Sequence, residues 1–319
     1  MNLKLIDAAI AGYRPVLDDV TNARLAFFRQ LWGAMDETAA ACEGAVSFDM
    51  PCAADLRAFN ERGESVLSQR PARVDAGALA RTSAAVARAM AEHGGFEPSI
   101  VEALSSVEWL SVIESSALQL AGSDPKSYVS ALQGGLAVQG LGEREASICA
   151  SAASLALRAV LSPTASKIRQ ARVSAGADRP RPVHCPVCGC EAAVAHVGGG
   201  TSSGGRGRSL WCAQCGCVWE YERVRCARCG TQNQAHLHFY NVEGDDAHRI
   251  ATCDECGGYI RTVYDEESPM AALRPFSFEV EDVVMARLDL IAFRQAQAQA
   301  TGSPTPFDVE PAQPASDAR

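Results

Sequence analysis

The residues in this chain best suited to chemistry are eight cysteines in four Cys-x-x-Cys pairs. They are Cys185-Pro-Val-Cys188, Cys212-Ala-Gln-Cys215, Cys226-Ala-Arg-Cys229 and Cys253-Asp-Glu-Cys256, each followed by glycine. Two intervening residues let the backbone turn around one metal ion, and the glycine permits a positive φ where the chain leaves the turn. Such a knuckle also aims amide N–H groups at thiolate sulfur, spreading charge that would otherwise accumulate there. Between Cys188 and Cys212 lie 23 residues, and between Cys229 and Cys253 lie 23 again, so the second set repeats the first at an offset of 41. The economical pairing gives one site to Cys185, Cys188, Cys212 and Cys215 and another to Cys226, Cys229, Cys253 and Cys256. An interleaved pairing would force the outer knuckles to find each other across the whole domain. Four-sulfur tetrahedral coordination suits both zinc and mononuclear iron. A site of this kind can be a folding staple, worth roughly 10–16 kcal/mol for structural zinc, or a redox centre.

The remaining candidates carry weaker signals. Cys190 and Cys217 extend the first two knuckles to Cys-x-x-Cys-Gly-Cys, whereas Thr231 and Gly258 stand at those places in the second half. They read as small buried residues in a turn, with redox activity or substitute ligation as the alternative. Cys42, Cys52 and Cys149 read as ordinary core or surface thiols. With eight cysteines completing two shells, His184, His196, His236, His238 and His248 are expected to hydrogen-bond or face solvent. The glycine-rich run from Gly198 to Ser209 lacks the Gly-Lys-Ser/Thr ending of a phosphate loop and reads as a hairpin tip between knuckles. No nucleophile triad, carboxylate pair or nucleotide fingerprint appears, so the expectation is a protein that is not an enzyme.

The fold class expected to position these cysteines is α+β, an all-α N-terminal domain followed by two tandem rubredoxin-like, or zinc-ribbon-like, four-cysteine metal modules and a C-terminal helix. Helices are expected over 17–35, 76–92, 125–138 and 143–168, and most clearly over 100–120. There Ile100, Leu104, Val107, Leu110, Ile113, Ala117 and Leu120 fall on one face, and Ser99 with Glu102 fits a capping box. Polar, proline-bearing SAGADRPRPV marks a domain boundary. Short strands are expected near 218–224 and 259–263, and a last helix over 279–297 with Val280, Val284, Leu288 and Ile291 on one face. The divisions are 1–178 for the helical domain, 179–225 and 226–270 for the modules, 271–298 for the C-terminal helix and 299–319 for a disordered tail, where Phe307 could dock.

Bulk properties narrow the function. A length of 319 residues favours two domains. The net charge is −9, and residues 181–270 hold eight arginines against eleven acids, which argues against a nucleic-acid partner. The opening MNLKLIDAAIAGYRP lacks the uninterrupted apolar core of a secretory signal, so a cytoplasmic protein is expected. The apolar stretch 146–161 is rich in alanine and serine and contains Arg158, so it reads as a buried helix without membrane insertion. Thirteen cysteines in a reducing compartment favour metal over disulfides.

The order CPVCG, LWCAQCGCVWEYERVRCARCG, LHFY, CDECGGYIRTVY and EVEDVVMARLDLIAF, behind a helical half, resembles FdhE, the formate dehydrogenase accessory protein family. The likeness is specific over Cys185 to Phe293. It implies a cytoplasmic maturation factor holding iron in two rubredoxin-like sites, with zinc as the alternative metal. It also implies a partner, the molybdopterin-bearing catalytic subunit of respiratory formate dehydrogenase, met before export by the twin-arginine route. Only the eight knuckle cysteines carry over to a family role. Whether the chain forms a homodimer stays open. The competing readings are a rubredoxin-like electron carrier or redox sensor and, further off, a zinc-ribbon nucleic-acid-binding protein.

Overall fold

Alanine and leucine at helical spacing build the N-terminal half of the protein. In the computed structural model, residues 1–41, 44–200, 206–242, 245–265 and 275–301 are described. The helices there are α1 (Leu3–Tyr13), α2 (Asp19–Ala41), α3 (Ala53–Glu61), α4 (Val66–Gln69), α5 (Ala76–His93), α6 (Pro98–Ser106), α7 (Trp109–Ser115), α8 (Pro125–Val138) and α9 (Glu143–Ser174). Local chemistry sets their starts. Asp75 accepts from the Ala78 N–H ahead of α5, and Asp124 accepts from the Ser127 N–H ahead of α8, whose first residue is proline. The expected spans 76–92 and 125–138 are therefore met almost to the residue. Helix α1 was not anticipated; its cap is Asn2, which accepts from the Leu5 N–H. Cys42 lies outside the described residues.

The expected single helix over 100–120 is three pieces. Helix α6 begins at Pro98 after Glu97, so the Ser99–Glu102 box is not its cap, and the Ser99 hydroxyl donates to Glu145 instead. At Val107 the backbone turns extended, with ψ of 123°, and Ala117 takes a left-handed φ of 52° before a 3₁₀ turn over Leu118–Gly122. Ser105 and Ser106 hydroxyls bond back to the carbonyls of Val101 and Ala103, competing with the helix ladder at this end. The break turns Trp109 inward and leaves Leu110 exposed, although the 3.6-residue stripe placed Leu110 inside.

Helix α9 is the core of this half, packing on α5 and α8. Among the described residues it is the one helix long and apolar enough to cross a membrane, and 67% of its most apolar window is buried against the rest of the protein. A two-residue antiparallel ladder, β1 (Val46–Ser47) on β2 (Arg73–Val74), is the helical half's departure from the all-α expectation.

Beyond α9 each module runs knuckle, hairpin, knuckle, strand. The first has β3 (Val194–Gly200), β4 (Arg206–Trp211) and β5 (Val218–Tyr221); the second has β6 (Leu237–Val242), β7 (Asp245–Cys253) and β8 (Tyr259–Tyr264). Of the expected hairpin tip, Gly198 to Ser209, residues 198–200 and 206–209 belong instead to the paired antiparallel strands, and 201–205 lie outside the described residues. The modules do not stand as separate beads. Strand β3 pairs in parallel with β8, Val194 opposite Arg261, which fuses them into one sheet of order β5-β4-β3-β8-β7-β6. Side chains alternate between its faces. Ala195 and Leu210 join a core with α3, α4 and the end of α9, while Val194, Trp211, Ile250 and Val263 join a core with the C-terminal helix.

That helix is α10 (Phe278–Val284) and α11 (Ala286–Thr301), divided at Met285. Val280, Val283 and Val284 of α10 are buried in the core of the helical half, whereas Met285 and Leu288 pack on the sheet. The expected apolar face is thus shared between two different cores. Residues 302–319, with Phe307, lie outside the described residues.

Candidate metal centres

The four knuckles share one backbone geometry. Gly189, Gly216, Gly230 and Gly257 have φ of 79°, 74°, 82° and 67°, so each glycine after a Cys-x-x-Cys pair uses the left-handed region. Each donates its N–H to the carbonyl of the first cysteine of its knuckle. The first cysteine's own N–H donates to the carbonyls of Cys190, Cys217, Thr231 and Gly258 respectively. Because a main-chain carbonyl closes each turn, the side chain at that last position is free to vary.

The sulfurs of Cys185, Cys188, Cys212 and Cys215 lie within 4.8 Å of one another, as do those of Cys226, Cys229, Cys253 and Cys256. The groupings are those of the economical pairing, and neither contains a histidine. The closest pairs are Cys185 with Cys215 and Cys188 with Cys212 at 3.5 Å, and Cys226 with Cys256 and Cys229 with Cys253 at 3.8 Å. Metal–sulfur bonds of about 2.3 Å in a tetrahedron set the sulfurs about 3.8 Å apart, far longer than a disulfide's ~2.05 Å. The donor sets therefore fit a tetrahedral thiophilic ion. Burial opposes ionisation of Cys185, yet hydrogen bonds with Cys188, Cys215 and Cys217 outweigh it and bring this thiol down to about 6. Burial also opposes ionisation of Cys226, and the N–H groups of Cys229 and Arg228 prevail, bringing it down to about 7. Neighbouring sulfurs and burial push Cys188 and Cys215 up instead, so one part of the cage is poised as thiolate, the form a metal takes, and the rest as thiol. The amide-to-sulfur contacts expected of a knuckle occur at the second site, from Arg228 N–H to Cys226 at 3.3 Å and Gly258 N–H to Cys256 at 3.4 Å.

The two sites differ in their surroundings. All four cysteines of the first are at most 3% exposed, enclosed by Leu56, Phe59, Leu67, Ile168 and Trp219. The first knuckle also caps α4, since the N–H groups of Val66 and Leu67 donate to the carbonyls of Pro186 and Val187 at 3.0 and 2.9 Å. At the second site Cys226 and Cys253 are buried but Cys229 and Cys256 face solvent. Its rim is charged. His238 meets Asp254 at 2.7 Å, and Arg228 bridges from Tyr259 O to Glu191 of the first module.

Cys190 and Cys217 close the first two knuckles, Cys217 buried and Cys190 half-buried. Their carbonyls accept from the Cys185 and Cys212 N–H groups, and the Cys217 thiol donates to the Val218 carbonyl at 3.8 Å. Of the scattered cysteines, Cys52 is exposed, while Cys149 is buried in the helical core, where burial pushes its thiol up to about 11.

One cluster has no counterpart in the sequence reading. His248 on β7, 4% exposed, lies with Nδ1 2.9 Å from Asp245 and Nε2 2.9 Å from Glu281 of α10, and the Tyr13 hydroxyl of α1 donates to the same Glu281 at 2.6 Å. Arg287 also pairs with Asp245. Its members come from three distant stretches of chain, so no local spacing could have signalled it. A cleft of about 420 Å³ also opens between the helical half and the first module, walled by Trp32, Leu155 and Val283 and floored by Arg158 and Gln214.

A helical half bonded to a duplicated, sheet-linked pair of four-cysteine groups defines a protein with two sites that could each hold a metal ion. Over 127 residues, 39% of this chain, it is 32% identical to the protein FdhE of Escherichia coli O1:K1, and the same figures hold for the FdhE proteins of Shigella boydii serotype 18 and Escherichia fergusonii. The matched segment spans 37% of the length of those relatives. These relatives bear out the resemblance to the FdhE family read from the sequence. No family model matches the chain. Among solved structures, the crystal structure of the FdhE protein from Pseudomonas aeruginosa aligns over 95% of this chain and 91% of that one, with a TM-score of 0.46 and 16% identity.

Proposed function

We propose that this protein is a non-catalytic accessory factor for the assembly of active, molybdenum-dependent respiratory formate dehydrogenase, acting on its catalytic subunit in the cytoplasm before export. The observation that carries the reading is the similarity to FdhE proteins. The eight cysteines, Cys185, Cys188, Cys212, Cys215, Cys226, Cys229, Cys253 and Cys256, are proposed to hold two iron ions, one per cage, with zinc as the alternative. Iron bound this way supplies a one-electron change that alters the charge of the site. The chain's own residues then divide the work. The first cage, sealed and bonded to α4, orders the junction of sheet and helices, while Cys229 and Cys256 of the second present a charge-variable surface to a partner. The divisions 1–178, 179–225, 226–270 and 271–298 are proposed as the working units of that arrangement.

Aerobic purification, metal analysis and a visible spectrum test the metal. Ferric tetrathiolate sites colour the protein, and a colourless preparation with two zinc ions would overturn iron. Co-purification with the catalytic subunit of formate dehydrogenase tests the role, and its absence in a strain making both proteins would overturn it. An electron-carrier function is the second reading, favoured by the two solvent-facing sulfurs of the second cage. Turnover with a redox partner in the absence of any client would support it.

A further inference from the structure

The first cage has no sulfur open to solvent, yet a metal must reach it. Next to it runs a crevice of about 310 Å³ whose walls include Asp124, His184, Glu191, Cys190 and the cage ligand Cys188. Cys190 lies on both this crevice and the larger cleft beside it. It is half-buried, and it lines the same crevice as Cys188, which forms one 3.5 Å edge of the cage with Cys212. A cation in this crevice therefore meets Cys190 and the cage ligand Cys188 together. Cys217, by contrast, is 3% exposed, donates to the Val218 carbonyl and lines neither of these openings.

The duplication supplies an internal comparison. At the position of Cys190 the second module carries Thr231, and that cage opens directly to solvent through Cys229 and Cys256. The outward-facing extra thiol occurs in the module whose cage is sealed, and it is missing from the one that needs no path.

We propose that Cys190 is an exchange ligand through which a thiophilic divalent cation enters and leaves the first site. The inference rests on the reading that this site holds a metal. On the inward path the cation sheds water in the crevice and binds Cys190, whose thiol proton passes to solvent. Bonds to Cys188 and Cys212 then form as their thiol protons leave. The bond to Cys190 breaks as Cys185 and Cys215 give up their thiol protons to solvent and complete the shell, and Cys190 takes a proton back from solvent. Outward movement reverses the order, with Cys190 opening the Cys188–Cys212 edge.

Release from the folded, full-length protein tests this. The protein is loaded with cobalt(II), whose tetrathiolate absorption is visible, and mixed with a range of EDTA concentrations. Two ions per chain at the start check the metal reading separately. Failure to bind any would sink the proposed metal sites, whereas normal binding with unaltered release would sink only the exchange role. The wild type should show a fast phase from the exposed second site and a slower, chelator-dependent phase from the first. Cys190→Ser should slow the second phase at least about tenfold while keeping two ions bound, and Cys217→Ser should change it little. A slow phase independent of EDTA and equal in wild type and Cys190→Ser would mean exit by local unfolding and would overturn the proposal. So would a Cys190→Ser protein that holds one ion, because Cys190 would then be a resident ligand, or equal slowing by Cys217→Ser.

Discussion

At the scale of single residues, the cages differ in what a lost ligand would cost. Cys212 is fully buried within a core shared by helices and sheet, and Cys256 faces solvent. Cys212→Ser should remove one ion and destabilise the protein by at least about 4 kcal/mol, because it abolishes a structural metal and leaves a hydroxyl in an apolar setting. Cys256→Ser should also remove one ion but lower the melting temperature far less. Metal counts and thermal melts of the two variants, side by side, check the contrast; equal melting temperatures would refute it. Gly122 is a second sensitive point. A Cβ there would lie 1.9 Å from the Ala72 carbonyl oxygen, beside the hydrogen bond from the Ala72 N–H to the Gly122 carbonyl at 2.9 Å. Gly122→Ala should therefore cost about 2–4 kcal/mol by forcing the 3₁₀ turn off the β2 segment, measured as a shift in denaturant midpoint.

Among elements, the buried His248 network ties α1, β7 and α10 together. Burial opposes protonation of His248, but hydrogen bonds with Asp245 and Glu281 outweigh it and raise the imidazole to about 9. A group whose folded value is raised contributes stability that is fully present below its unfolded value, about 6.5, and that is lost as pH rises through about 9. The melting temperature should fall between pH 7 and 10, and His248→Gln should flatten that fall while lowering the neutral-pH value. A wild type and variant with parallel pH profiles would remove His248 as the cause. The same elements show where sequence patterns fail. The stripe from Ile100 to Leu120 obeys helical spacing, yet two serines that bond back to the helix carbonyls stand at the break before Val107. Periodicity reports which residues want burial, and it is blind to a backbone that reorients between them.

For the whole molecule, α10 is the hinge of cooperativity. Its valines complete the helical core, Arg158 of α9 reaches Glu279 at 2.8 Å, and the guanidinium lies 4.8 Å from the Trp211 ring of β4. A chain ending before Ser277 should lose the valines and Glu279 of this set and unfold in two separated calorimetric transitions where the full chain shows one; a single transition in both would refute this. Stripping the metals should have a different outcome. The sheet half depends on its cages, whereas α5, α8 and α9 bury one another. Chelation should therefore leave most of the far-ultraviolet helical signal while shifting the fluorescence of Trp211 and Trp219.

The spacing of the cysteines determined by itself which four sulfurs gather in each cage, because a Cys-x-x-Cys-Gly turn is a local structure and its repeat at 41 residues admits one economical pairing. Helices with strong local caps, such as α5 and α8, were legible for the same reason. Tertiary structure alone decided that the two modules fuse through β3 and β8, that one cage is sealed while the other faces water, and that His248 meets Tyr13 and Glu281. Those outcomes depend on which surfaces meet across more than 30 residues of chain, and on how much water each excludes. Neither quantity is written in residue spacing.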